Sequence, residues 1–179
     1  MHTTSLIDRL VEAPPVADAE RAEARLADFI ERAEAEPGAK ALLPHLEAGL
    51  LRDLLMAIAD HSPFLWQLVL IDPARLAWLV RSAPEEAARM LADDQANLFR
   101  EFRAGGLSRA DVVRAFRRNR NAHALLVALA DLGGVWSIED ATQSLSDFAD
   151  ASVRGGVDLV LTESADLGRI ALADADAPG

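Results

Sequence analysis

The chain contains no cysteine and no tyrosine among its 179 residues. Without cysteine it can form no disulfide, no thiolate nucleophile and no cysteine-ligated metal site. Lysine occurs once, at Lys40, and arginine supplies the other 17 of the 18 basic residues. That bias reads mainly as genomic composition, although arginine also suits bidentate ion pairs. Basic residues are outnumbered by 29 acidic ones, for a net charge of -11. Such a field repels phosphate backbones and anionic membranes, so the chain is not expected to bind nucleic acid or a membrane surface. Long hydrophobic runs are also missing. The longest, 64–71, is interrupted by Gln67 and falls far below the roughly 20 residues of a membrane span. Residues 1–16 lack a basic region followed by an apolar core of about 7–15 residues, so no signal peptide is read there. A cytoplasmic location is the expectation.

What is abundant is alanine, at 35 positions, and leucine, at 27. Both are strong helix formers, while β-branched residues are scarce and glycine and proline number only 10 and 8. This balance disfavours a β-sandwich and a disordered chain and predicts an all-α protein. The length fits one compact domain better than two. An amphipathic helix is predicted over 18–36, with Leu26, Phe29 and Ile30 as its apolar contacts, stopped by Pro37 and Gly38. Leu50, Leu51, Leu54, Leu55 and Ile58 recur at helical spacing and end near Asp60 and His61. Ser62-Pro63 and Asp72-Pro73 each pair an N-cap with proline at the first helical position. Between them, 64–71 reads as a short buried helix, because no partner strand is visible. A further start is read at Ser82-Ala83-Pro84-Glu85, leading towards Phe99 and Phe102.

Gly105 and Gly106 precede two longer helices, predicted over about 109–132 and 138–162 as an antiparallel hairpin. Ser108 with Asp111 and Ser137 with Asp140 give weaker forms of the capping box. Ile138, Ala141, Leu145, Phe148, Ser152, Gly155 and Leu159 alternate steps of three and four, the pattern of a face packed on another helix. Gly155-Gly156 is a candidate break, at about 1 kcal/mol per glycine relative to alanine. Turning the hairpin near Val135 places Arg120 opposite Asp150 and His123 opposite Asp147, and these pairs are expected to set its register. The chain is divided into a segment of several short helices at 1–104, the hairpin of the same unit at 105–165, and an acidic linker or truncated start of a following domain at 166–179.

Candidate sites are few. Asp60-His61 has the composition of an acid and a general base, but adjacent helical side chains diverge, and a histidine at a helix end suits a cap or dipole partner. His2, His45, His61 and His123 are scattered without zinc spacing. Gly105, Gly106, Leu107, Ser108 and Arg109, beside Arg103, have the look of an anion nest. They lack the lysine of a phosphate loop, so a turn and N-cap fit better. Gly133-Gly134 reads as a helix C-cap. Arg114, Arg117, Arg118 and Arg120 suit ion pairs with the next helix or an acidic partner, since no aromatic platform for nucleic acid accompanies them. Trp66, Trp78 and Trp136 read as core residues. No catalytic, cofactor-binding or metal residue is assigned.

Four blocks in order, SPFL at 62–65, RAFRR at 114–118, ALADLGG at 128–134 and TQSLSDFAD at 142–150, resemble the N-terminal part of the glutamine synthetase adenylyltransferase family in its α-proteobacterial form. The resemblance covers roughly residues 45–165. It implies a bifunctional enzyme that attaches AMP to glutamine synthetase and removes it, controlled by a PII signalling protein, with ATP and Mg²⁺ held by carboxylates of nucleotidyltransferase domains. The sequence stops at Gly179 before the strand, glycine-rich turn and paired aspartates of such a domain. By that reading the chain is a helical fragment, lacking the nucleotidyltransferase sheet and inactive alone. The alternative is a free-standing helical module that binds a protein through residues 114–120.

Overall fold

Local capping chemistry sets most of the helix starts. In the computed structural model, which describes residues 4–171, five side chains accept a hydrogen bond from the backbone N–H three residues on. They are Asp18, Ser62, Asp72, Ser108 and Ser137, and they open α2 (Ala19–Ala35), α5 (Pro63–Ile71), α6 (Pro73–Arg81), α8 (Arg109–Leu132) and α9 (Ile138–Asp166). Each cap satisfies one of the amides that a helix N-terminus leaves without an intrahelical partner. The remaining elements are α1 (Leu6–Arg9), a 3-10 turn (Pro37–Leu42), α3 (Leu43–Glu47), α4 (Leu50–His61) and α7 (Pro84–Arg103). Every regular element among the described residues is helical, so the all-α expectation holds. Residues 172–179, within the expected acidic linker, and His2 lie outside the described residues.

One expected cap is different. Ser82 does not cap α7; its hydroxyl donates to the Trp78 carbonyl at 2.8 Å, and Ala83 takes the N-cap position without a side-chain bond. The Ser82 carbonyl instead accepts the Leu6 N–H at 2.8 Å, which draws the N-terminal turn onto α6.

The main core gathers leucines from every part of the chain. Leu26 and Phe29 of α2, Leu54, Leu55 and Ile58 of α4, Leu76 and Leu79 of α6, Leu91 of α7 and Leu126 of α8 are all buried. The edge of Phe29 meets Trp66 with ring centroids 6.0 Å apart. The apolar stretch at 64–71 is helical as read, burying Trp66, Leu68 and Val69 while Phe64 and Ile71 stay exposed.

The predicted hairpin is present, and α7 joins it as a third member. Helix α7 packs along both α8 and α9, so the apolar rows of the last two helices turn partly towards α7. This explains three departures from expectation. Ala141, Phe148, Gly155 and Leu159 are buried as the stripe predicts, but Ile138 and Leu145 are exposed. The pairs Arg120–Asp150 and His123–Asp147 are not made: Arg120 is exposed and donates to Asn121, while His123 is buried against Ser144. The ion pair that does link the two helices joins Arg109 and Glu163 at 3.1 Å. Third, α9 runs unbroken through Gly155-Gly156 to Asp166. The ring of Phe99 occupies the space where a Cβ at position 155 would project, so glycine is required there for close approach.

Beyond that contact lies a smaller apolar cluster of Phe99, Val112 and Leu159, flanked by Phe102, Leu107 and Phe116. Near it, Gln95 is fully buried with neither amide atom hydrogen-bonded, and the hydroxyls of Ser152 and Thr162 are likewise unpartnered.

Candidate functional site

A cleft forms where α1, α7, α8 and the start of α9 meet. Gly134, at φ +66°, turns the chain after α8, a conformation that glycine adopts without penalty. A reciprocal capping box then fixes the start of α9. Ser137 Oγ accepts the Asp140 N–H at 3.1 Å, and Asp140 Oδ2 accepts the Ser137 N–H, also at 3.1 Å. The Ser137 hydroxyl and amide hold the Asp140 carboxyl below its usual range. Between turn and cap, Trp136 is directed under α7, where its indole N–H donates to Glu85 Oε1 at 2.9 Å. Arg9 Nη1 reaches the same carboxylate at 2.8 and 2.9 Å. Burial pushes Glu85 up, but the bonds from Trp136 and Arg9 outweigh it and leave the carboxyl below its ordinary pKa.

These groups line an open cleft of about 460 Å³, completed by Arg89, His123, Gln143, Ser144, Asp147 and Phe148. His123 Nε2 lies 3.0 Å from Ser144 Oγ, and its ring stacks on Phe148 with centroids 4.2 Å apart and planes at 11°. Burial lowers the His123 pKa to about 4, so the imidazole is neutral at pH 7. A neutral imidazole against a hydroxyl is half of a nucleophile–base arrangement. Acyl transfer also needs a group that orients the ring and donors aimed at an oxyanion. Ser144 sits inside α9, where backbone amides are spent on i−4 carbonyls, and the imidazole is held by the Phe148 ring. The pair therefore packs α8 on α9, and the cleft presents charged side chains of both signs beside apolar ones.

The residues singled out in the sequence are dispersed. Asp60 is buried, and its carboxylate accepts the amides of Ala17 at 2.7 Å and Asp18 at 3.1 Å and a bond from Arg21. The Ala17 amide leads the effect that lowers its pKa to about 2, against the opposing cost of burial. Contrary to the expected divergence, neighbouring His61 Nε2 lies 3.6 Å from Asp60 Oδ2, and it donates to the Pro15 carbonyl at 2.8 Å. Together the two residues strap the stretch before α2 onto α4. His45 is exposed on α3. The amides of Gly105 and Gly106 are committed to the carbonyls of Phe102 and Glu101, and Ser108 caps α8. Arg114 pairs with Asp111, and Arg118 lines a second cavity of about 300 Å³ with Leu68, Asp72, Arg75, Asn121 and Leu125. Trp66 and Trp136 are buried, whereas Trp78 is half-buried beneath the Arg75 guanidinium, 5.3 Å from its ring centroid. Among the described residues no group of three His, Asp or Glu converges to hold a metal ion. The cleft itself was not read from the sequence. Its one local signal was the Ser137–Asp140 box; Arg9 and Glu85 meet only through tertiary packing.

Fold and cleft define an all-helical packing unit with an open cleft of mixed polar and apolar lining. The family model described as glutamate-ammonia ligase adenylyltransferase matches residues 52–176, and the chain belongs to that family. All four blocks noted in the sequence fall inside the match. A bifunctional glutamine synthetase adenylyltransferase/adenylyl-removing enzyme of Bradyrhizobium sp. (strain BTAi1) is 40% identical over 175 residues, 97% of this chain. Enzymes of the same description from Xanthobacter autotrophicus and Rhodopseudomonas palustris (strain HaA2) are 37% and 36% identical, again over 97% of the chain. The chain spans 17% of the length of each of these relatives. No solved structure matches it.

Proposed function

We propose that these helices are the scaffold portion of an enzyme that adenylylates glutamine synthetase and removes the AMP again, and that they perform neither reaction alone. The observation that supports this reading most directly is 36–40% identity, over 97% of the chain, to bifunctional enzymes of which it spans 17%. On this reading ATP and Mg²⁺ are held by other parts of the enzyme, and glutamine synthetase and a PII protein are partners of the whole. The contribution of this chain is positional: buried leucines and capped helices give a stiff platform, and the cleft offers it a contact point. No single helix among the described residues is long and apolar enough to cross a membrane, consistent with an enzyme of the cytoplasm.

The test is a chimera in which this chain replaces the corresponding segment of the Bradyrhizobium enzyme. AMP incorporation into glutamine synthetase and its phosphorolytic release should both survive in the chimera and be absent from the isolated chain. Transfer or release by the isolated chain overturns the proposal, as does a folded chimera without either activity.

A further inference from the structure

Helix α9 carries a second apolar face that nothing among the described residues covers. At about 100° per residue, Ile138, Leu145, Ala149, Val153, Val157 and Val160 fall within an arc of about 120°, which exposed Thr142 and Ser146 share near its start. The centre of that arc stands about 110° around the helix from the buried row of Ala141, Phe148, Gly155 and Leu159. Ile138, Val153 and Val160 are 71%, 66% and 55% exposed, and Leu145, Ala149 and Val157 are exposed with them. The face runs for about 33 Å along the helix axis at 1.5 Å per residue. Isolated apolar residues on a surface need no explanation, but a row that no polar side chain interrupts from Ala149 to Val160 marks an interface. Glu139 and Asp150, both exposed, border one edge.

Two observations identify the occupant. The chain spans only 17% of the enzymes it resembles, so most of such a polypeptide is absent from this structure, and the family match includes all of α9. A second copy is a poor fit, because it would bring two acid-bordered faces together in a chain of net charge -11, and like charges oppose self-association. We propose that the exposed α9 face is the seat of another part of the same enzyme, one that presents aliphatic side chains edged by arginine or lysine. This rests on the reading of the chain as a portion of a longer enzyme.

Because the chain has no cysteine, Val153→Cys and Val160→Cys each introduce a single thiol on the face, and Arg117→Cys supplies a control on exposed α8 surface. Each variant is labelled with a maleimide and followed by peptide mass spectrometry, in the isolated chain and in the Bradyrhizobium chimera. In the isolated chain all three thiols should react at similar rates, independent of protein concentration. In the chimera positions 153 and 160 should slow by roughly tenfold or more while 117 does not. Equal reactivity of 153, 160 and 117 in the chimera overturns the proposal. So does concentration-dependent protection in the isolated chain, which would assign the face to a second copy. Protection in a chimera that lacks both enzymatic activities supports the docking face while counting against the scaffold function, so the two failures are distinguishable.

Discussion

Two regions of the molecule bury apolar groups by different means. The main core, from Leu6 to Phe148, closes around leucines drawn from eight helices and the edge-to-face contact of Phe29 with Trp66. The far end of the α7–α9 bundle relies on Phe99, Val112 and Leu159, with three flanking partly buried side chains. Near that smaller cluster lie the unbonded amide of Gln95 and the unbonded hydroxyls of Ser152 and Thr162. Unsatisfied buried polar atoms each cost about 1–3 kcal/mol, so the far end gains less from burial and loses more to desolvation. The two regions should therefore differ in the free energy at which they open.

The strongest test of that contrast compares two phenylalanines. Phe29→Ala should cost about 3–5 kcal/mol and lower the urea midpoint of the entire transition. Phe99→Ala should cost less, with faster amide exchange confined to the end of α7 and the second half of α9. Equal, global effects of the two substitutions would erase the distinction. The next effect is read by pH at the junction of the regions. His123 is held neutral to about pH 4 by burial, against an ordinary value of 6.5. As pH falls, the unfolded chain takes up the proton first. Stability that is complete above pH 6.5 therefore drains between 6.5 and 4, by roughly 3 kcal/mol at 1.36 kcal/mol per pKa unit. Urea titrations at pH 7 and 4.5 should show the loss, and His123→Gln should remove most of it.

Smaller effects probe the far end alone. Gly155→Val forces a side chain into the Phe99 ring and should cost about 1–3 kcal/mol, as overpacking does. Chemical denaturation of the double variant Gly155→Val/Phe99→Ala should recover part of that loss. Gln95→Leu removes two unbonded atoms from a buried position and should raise stability by about 1 kcal/mol. A fall on this substitution would show that Gln95 has a bonding partner in solution.

Legibility in the sequence followed the range of each interaction. Ser62, Asp72, Ser108 and Ser137 could be read as caps because donor and acceptor lie three residues apart. The bounds of α8 followed from its cap and from Gly133. Asp60 could not be read correctly, because the amides that claim it belong to Ala17 and Asp18, on a different element. A pairwise hairpin count placed charges opposite each other, but it could not see that α7 would take the groove between α8 and α9. The same omission left Gly155 as a candidate break, when it is the point where Phe99 enters. The cleft was hidden for the same reason: Arg9, Glu85 and Trp136 share no local pattern.

The turn at residues 6–11 has a consequence for how the chain folds. Its Leu6 N–H bonds to Ser82, its Val11 N–H bonds to Gly133 at 2.9 Å, and Leu6 and Leu10 are buried. Residues 6 and 11 thus have partners 76 and 122 positions further along the chain (82 − 6 and 133 − 11). Contacts of such long sequence separation close late. Its docking therefore waits until Ser82 and Gly133 are in place, and serves as the latch of the finished platform.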